Sequence, residues 1–332
     1  MIRPAVVLGT NLAIGVAALG WLLVRHGAPA LHMLGAHVEP AMLVGFACAA
    51  MLAFLAYTRR WQILLAGLGS ARELAALGPI RAAGHSVSAL VPSAKLGGDP
   101  VRALFLVRGE VPGADAIASV AIDRVLEIGS AAAFACLYAT LLLRRGVPEL
   151  QGALATVAAS TIALAVGVVV TVRRLRAGRG LVTALAGATG LDRFGVVRDR
   201  MRVLAAAEDG AARLVAQPGR IGRAFAFGVL ANVVVLAEYH LLLAAFGLPA
   251  GPVAVVAAIF AAGAAHSLPV PGAVGALEGA QMWLFGTLGH PPEVGLAVAF
   301  AVRLRELLWI APGLVYLALR GAVLVRPADQ PA

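Results

Sequence analysis

The sequence alternates long apolar runs with short polar breaks. Residues 5–24, "AVVLGTNLAIGVAALGWLLV", are predominantly apolar, and about 20 such positions make a helix long enough to cross the hydrocarbon core of a bilayer. Similar runs occupy residues 41–58, 116–143, 153–172, 221–247 and 294–319. The pattern predicts six spanning helices.

Two further apolar regions, 74–108 and 252–289, are interrupted near their middle by proline and glycine. Each half is too short to cross a bilayer alone. We therefore expect two re-entrant hairpins of broken helices, which makes the predicted fold an all-α polytopic membrane protein with six spans and two hairpins.

Composition excludes a soluble domain. The 332 residues are 61% hydrophobic and 13% charged, and the mean hydropathy is +0.89, far above that of soluble proteins. The net charge of +10 is almost entirely due to arginine, which in a membrane protein is first a topology signal, so no nucleic-acid partner is expected. Cys48 and Cys136 lie inside apolar runs and are interpreted as small hydrophobic residues.

Arginine placement predicts the orientation. Residues 173–220 carry ten arginines, and we assign them to the cytoplasm together with both termini and the end of the second helix at Arg59 and Arg60. This requires hairpin 74–108 to dip from the cytoplasm and hairpin 252–289 from the outside. Within the basic loop, 199–216 is either an interfacial helix or a solvated one; its apolar positions are Met201, Leu204, Ala211 and Val215.

An internal repeat supports this arrangement. One ungapped alignment of the chain with itself places a repeat at about 41–143 on a second at about 221–319. We call its constant shift the repeat offset. The rare residue types carry the alignment: Pro92 with Pro271, Asp99 with Glu278, Pro112 with Pro291, Arg124 with Arg303 and Glu127 with Glu306. Two oppositely oriented copies form an inverted repeat, an architecture typical of transporters whose broken helices meet near the midplane.

The breaks themselves predict a polar cavity. Non-helical backbone exists at membrane depth only where it is buried in protein or lines such a cavity. We expect the segment with Pro92, Lys95, Gly97 and Gly98 to face the segment that begins at Pro271, with the glycines allowing a ligand close to the main chain. Short helices should begin near Asp99 and Glu278, and helix starts suit phosphate or carboxylate.

Two intramembrane charge pairs are the candidate site. Arg124 with Glu127, and Arg303 with Glu306, are three positions apart and so share a helix face. They either brace the hairpins internally, or the two arginines bind a lipid phosphate while Asp99 and Glu278 neutralise them in the empty site. Lys95 either meets a headgroup or reaches the surface.

Other polar residues within the apolar regions leave their roles open. Asp123, Glu238 and Arg305 are proton carriers or cavity-facing partners, and the sequence does not choose between these roles. His85 and His266 are interior histidines or proton relays. Motifs of metalloproteases, P-loop proteins, serine hydrolases and redox dithiols are absent from the sequence, so neither enzymatic activity nor a metal or other cofactor is predicted.

Three stretches carry a family resemblance: "LVPSAKLGGDPVRALFLVRGEVPGADAIASVAIDRVLE", "HSLPVPGAVGALEGA" and "AVRLRELLWIAPGL". They resemble the transmembrane region of lysylphosphatidylglycerol synthases and related stand-alone flippase-like proteins. The acid before the first short helix is Asp99, where many members have glutamate.

This resemblance implies translocation of an anionic phospholipid, or of a polyprenyl- or hopanoid-type glycolipid, across the inner membrane. We expect the chain to lack the aminoacyl-transferase activity, which in the two-domain relatives belongs to a soluble domain. The alternatives are a membrane enzyme acting on a polyprenyl phosphate, or an accessory partner of a lipid-biosynthesis enzyme.

Overall fold

The computed structural model describes residues 4–91, 97–145, 150–177, 180, 195–268 and 270–321. These residues are almost entirely helical and include no strand, as the apolar runs predict. The α-helices are α1 (Pro4–Leu22), α2 (Ala28–Ala36), α3 (Pro40–Gly67), α4 (Leu74–Leu90), α5 (Asp99–Arg108), α6 (Gly113–Arg144), α7 (Gln151–Arg176), α8 (Gly195–Val215), α9 (Pro218–Ala245), α10 (Pro252–His266), α11 (Ala276–Thr287) and α12 (Pro292–Arg320).

The first predicted span is longer than its apolar run. A π-helical turn, Leu23–Gly27, joins α1 to α2, so the helix runs without interruption to Ala36. Pro29 lacks the N–H that would bond four residues back, and a widened turn is a common way to accommodate such a gap. Ala28-Pro29-Ala30 is thus helical.

Within the described residues, five helical segments are long and apolar enough to cross a membrane: Ala13–Ala36, Pro40–Gly67, Gly113–Arg144, Gln151–Leu175 and Pro218–Ala245. The sixth predicted span corresponds to α12, which has 29 residues. Its length suffices, but Arg303, Arg305 and Glu306 interrupt its apolar surface. The five segments make the chain an integral membrane protein.

Four consecutive helices recur along the chain. Helices α3 to α6 are followed by α9 to α12 in the same order, and the starts of counterpart helices are separated by a nearly constant length of chain, close to the repeat offset. Helix α3 packs against α9, α4 against α12, and α10 against α6. Each set of four therefore completes its core with helices of the other set.

Both hairpins turn through segments that only small residues fit. In the first, a Cβ atom added to Gly98 would lie 1.7 Å from the carbonyl oxygen of Gly84, and the Gly98 N–H donates to Ser88 Oγ over 2.9 Å. In the second, Gly275 has a φ of +77° and its N–H donates to Glu278 Oε2 over 2.8 Å, which caps α11. The short helices thus begin at Asp99 and Ala276, close to the predicted positions.

The basic region 173–220 contains a helix that packs onto the protein. Ala207 and Leu214 of α8 are buried against Leu64 of α3 and Ala118 of α6, and α8 contacts α6, α7, α9 and α3. Of the predicted apolar face, Leu204 and Ala211 are half-buried. The side chain of Met201 lies outside the described residues. This face is covered by packing against other helices, which the helical spacing of its apolar residues does not reveal.

Candidate functional site

A cavity of about 530 Å³ lies between the two sets of helices. Both hairpins contribute to its wall, through Leu90 beside the first break and Gly272 and Val274 in the second. The charged side chains of the wall come from both sets of four helices: Arg81, Arg102, Arg124, Glu127, Arg303, Arg305 and Glu306. In the described part of the chain, five guanidinium groups therefore face the cavity with two carboxylates.

Arg124 holds the first hairpin to α6. Its Nε and Nη2 donate to Asp99 Oδ2 and Oδ1 over 2.8 and 2.7 Å, and its Nη1 donates to Glu127 Oε1 over 2.9 Å. Asp99 is the first residue of α5, where a carboxylate also complements the positive end of the helix. This bidentate geometry is the strongest form of an arginine–carboxylate contact.

Arg303 holds the second hairpin to α12 in the same way. Its Nε and Nη2 contact Glu278 over 2.9 and 3.2 Å, and its Nη1 donates to Glu306 Oε2 over 2.8 Å. It also donates to the carbonyl oxygens of Gly272 and Ala273 over 2.5 and 3.0 Å. Glu278 has only 1% of its surface exposed, so losing Arg303 would leave a buried carboxylate without its cation.

These contacts tie each arginine to the short helix of its own half. All three guanidinium nitrogens of Arg124 and of Arg303 have acceptors within the protein. Because both side chains also line the cavity, a bound anion would share them with Glu127 and Glu306. The carboxylates of Asp99 and Glu278 pair with these arginines and do not line the cavity.

The remaining predicted residues are placed as follows. Gly97 and Gly98 form the turn before α5, and the packing of Gly98 on Gly84 fills the space that a ligand would need there. Pro271 opens a short 3-10 turn, Pro271–Ala273, within the second break. Pro92 and Lys95 lie outside the described residues.

A larger ion-pair cluster joins the wall of the first half to residues buried behind it, and the sequence interpretation missed most of it. Asp123 is fully buried and accepts from Arg60 Nε over 2.6 Å, Arg102 Nη2 over 2.6 Å and Arg81 Nη1 over 3.2 Å. Arg60 and Arg81 also donate to Glu127 Oε2 over 2.9 and 3.2 Å. We define the arginine cluster as the side chains of Arg60, Arg81, Arg102, Arg124, Asp99, Asp123 and Glu127.

The prediction that the second helix ends at Arg59 and Arg60 is wrong, because α3 continues to Gly67. The side chain of Arg60 is fully buried. The apolar sequence after it, "WQILLAG", could have indicated this, because a charge followed by another helical turn of core residues lies inside a span. Its neighbour Arg59 is exposed and remains available as a topology signal.

The second half has a smaller buried pair. Arg305 Nε lies 2.8 Å from Glu238 Oε1, and Trp309 Nε1 donates to the same oxygen over 3.2 Å. The Arg305 guanidinium also lies over the ring of Tyr239 at 4.9 Å. Glu238 is fully buried and pairs with Arg305, which lines the cavity.

The cavity wall is cationic although acids surround it. Asp99, Asp123, Glu238 and Glu278 each pair with an arginine from the outer side, and none of them lines the cavity. Burying such charges is tolerable only when they are paired in this way. Guanidinium groups held by a surrounding layer of acids present a fixed, preorganised surface for an anion.

Among the residues that the structure describes, no group of three or more histidine, cysteine, aspartate or glutamate side chains could hold a metal ion.

A family model described as the lysylphosphatidylglycerol synthase TM region matches residues 6–313. No curated protein and no solved structure matches the chain.

Proposed function

Because the chain belongs to the family of the lysylphosphatidylglycerol synthase transmembrane region, we propose that it moves a lipid with an anionic headgroup between the leaflets of the inner membrane. The headgroup crosses through the cavity while the acyl or prenyl chains remain in the bilayer. The family connects the chain to membrane lipids. The choice of transport, and of an anionic phospholipid or glycolipid as cargo, is our inference.

The arginine-rich wall shared by both halves is the observation that carries this proposal. Guanidinium groups bind phosphate with matched, bidentate hydrogen bonds, and several of them face one space. The volume of about 530 Å³ lies within the range of roughly 300–1,000 Å³ that small-molecule sites occupy. It suits a polar headgroup whose hydrophobic tails stay outside.

We further propose the predicted membrane arrangement: α12 is a sixth span, the two hairpins are re-entrant, and the two sets of four helices are an inverted repeat with both termini in the cytoplasm. The recurrence of the four helices at a nearly constant separation supports the repeat. Charged residues in α12 do not oppose a span, because Arg303, Arg305 and Glu306 face the cavity.

Arg81 is the guanidinium best placed to meet the headgroup. Both of its ion-pair contacts, to Asp123 and Glu127, are 3.2 Å long, whereas Arg60 and Arg102 approach Asp123 to 2.6 Å. A phosphate in the cavity would gain a bidentate partner in Arg81 at little expense to the fold, because Arg60 and Arg102 still hold Asp123.

The test is lipid translocation in proteoliposomes that contain a fluorescent phosphatidylglycerol analogue, followed by quenching from outside. Arg81→Gln should lower the rate at least about tenfold, the effect of roughly 1.4 kcal/mol of lost binding. Arg59→Gln is the matched control, since Arg59 is an exposed arginine next to Arg60 in the sequence. Thermal unfolding of both variants would show that the fold is intact.

An unchanged rate in a folded Arg81→Gln variant would contradict the role of the cavity. No translocation by the wild-type protein would contradict transport itself and favour the alternatives. A membrane enzyme would then convert the lipid chemically. An accessory partner would instead co-purify with a lipid-biosynthesis enzyme.

A further inference from the structure

One contact in the cavity wall requires a proton that the rest of the wall does not. His266 ends α10 beside the second break, and its Nε2 lies 2.7 Å from Glu306 Oε1. Both side chains line the cavity. The other carboxylate oxygen, Glu306 Oε2, accepts from Arg303 over 2.8 Å, so the carboxylate is fixed from one side.

The hydrogen-bond chemistry of the imidazole determines which nitrogen carries a hydrogen. Nδ1 of His266 lies 2.8 Å from the carbonyl oxygen of Ala262. A carbonyl only accepts, so Nδ1 must donate. A neutral imidazole has a single N–H, which leaves a lone pair on Nε2. An ionised carboxylate also only accepts.

Two acceptors at this separation repel each other unless a proton lies between them or one of them carries a positive charge. The oxygen Glu306 Oε1 is fully buried. Within the described residues, no well-aligned hydrogen bond reaches it. Its close partner is His266. The contact is therefore attractive only when His266 is an imidazolium or Glu306 is protonated.

We propose that His266 and Glu306 form a proton-binding site in the wall of the cavity, and that occupancy by one exchangeable proton couples lipid movement to pH. The inference rests on the proposed function for its role in transport, whereas the proton site can be tested separately. The proton comes from water through the cavity. When it leaves, the two facing acceptors repel, and the end of α10 separates from α12 next to the hairpin break.

The counterpart position in the first half has different partners. Glu127, the counterpart of Glu306, accepts from Arg124, Arg60 and Arg81, and arginine does not lose its proton in proteins. At the repeat offset, the position of His266 is occupied by Val87. Glu127 is therefore paired with permanent cations, whereas Glu306 also faces an imidazole.

The other ionisable groups around the pair come from every helix that forms the wall. Most are arginines or are held by arginines: Arg81 of α4, Arg102 of α5, Arg124 and Glu127 of α6, Glu238 of α9, Glu278 of α11, and Arg303 and Arg305 of α12. Tyr57 of α3 lies under Arg60 and Arg81, and Tyr239 lies under Arg305. His85, whose ring centroid is 5.8 Å from that of Trp309, is a second imidazole in the wall and needs its own variant.

The first measurement is the pH dependence of translocation of the fluorescent phosphatidylglycerol analogue, at equal pH on both sides, from about pH 5.5 to about pH 8, where histidine titrates. The wild-type rate should change at least about threefold over this range. His266→Gln and Glu306→Gln should each flatten the profile, because an amide replaces the titrating group.

His240→Gln is the matched control. His240 Nδ1 also lies 2.8 Å from a backbone carbonyl, that of Ala250, but its ring is exposed and has no carboxylate partner in the structure as described. This variant should retain the wild-type profile. If His266→Gln or Glu306→Gln keeps the full pH dependence, or if His85→Gln alone removes it, the proposal is overturned.

A second measurement does not depend on transport. In lipid nanodiscs with isotopically labelled histidine, one imidazole should titrate in the wild type, disappear in His266→Gln and shift in Glu306→Gln. If His266 shows no titration linked to Glu306, the proton site is refuted even when lipid moves. If His266 titrates as expected but lipid does not move, the proposed function fails and the proton site stands.

Discussion

Replacing Asp123 with asparagine should destabilise the protein strongly. Asp123 is fully buried and contacts three arginines, at 2.6, 2.6 and 3.2 Å. The side chain keeps its shape in this variant but loses its charge and one of its two acceptor oxygens, both of which accept from arginines. The arginine cluster, with four guanidinium groups and three carboxylates, would then hold four cations against two anions.

The magnitude follows from this burial. Removing one member of a buried ion pair costs about 3–5 kcal/mol, because the remaining charge is left uncompensated in a medium of low polarity. For a chain of 332 residues each kcal/mol lowers the melting temperature by roughly 1.4 °C. Asp123→Asn should therefore melt at least about 4 °C below the wild type in mild detergent, measured by tryptophan fluorescence or by loss of the monodisperse chromatographic peak.

Asp115→Asn is the control. Asp115 is also buried, but its cationic partner Arg213 has 58% of its side chain exposed, and Ser70 donates a hydrogen bond over 2.7 Å. Water can solvate Arg213 after the change, so we expect a loss of no more than about 1–2 kcal/mol.

A double variant decides whether charge imbalance is the cause. Arg102→Gln combined with Asp123→Asn restores the original excess of one cation in the arginine cluster. It should be more stable than Asp123→Asn alone, since coupled residues depart from additivity by about 0.5–3 kcal/mol. Losses that add, or a melting temperature of Asp123→Asn equal to that of Asp115→Asn, would refute the reasoning.

Two further substitutions test the packing and the cluster geometry. Gly98→Ala should abolish the folded fraction seen by size-exclusion chromatography, because its Cβ would lie 1.7 Å from the Gly84 carbonyl oxygen, whereas Gly129→Ala, with nothing within 4 Å, should not reduce it. Arg60→Lys should lower the melting temperature because an ammonium group replaces the fork that joins Asp123 to Glu127; the exposed Arg59→Lys should leave the melting temperature within the scatter of surface substitutions.

The length and composition of the apolar runs were sufficient to predict the helices, because a bilayer demands helices of nearly fixed length. The i, i+3 spacing likewise placed Arg124 and Glu127 on one face, and the structure joins them over 2.9 Å. Both signals are local and so can be seen in the sequence.

The contacts of Asp123 could not be predicted in this way. Arg60 is 63 residues from it and Arg102 is 21 residues from it, on different helices, and no period or motif links them. The hydrophobicity pattern misplaced Arg60, because it treats any charge as the end of a span. Only the packing of α3, α5 and α6 shows that these charges neutralise one another within the core.

The two halves share the arginine–carboxylate contacts that hold each short helix, and they differ in the residues around those contacts. Arg124 and Arg303 occupy equivalent positions and hold Asp99 and Glu278 in the same way. At the repeat offset, however, Arg81 corresponds to Phe260. The shared contacts tie each hairpin to a long helix, whereas the difference changes the charge that faces the cavity. Substitutions in these shared contacts should therefore act first on the stability of the fold. Arg81→Gln should lower the rate of lipid movement, because it removes a cavity-facing charge that the second half lacks at the equivalent position.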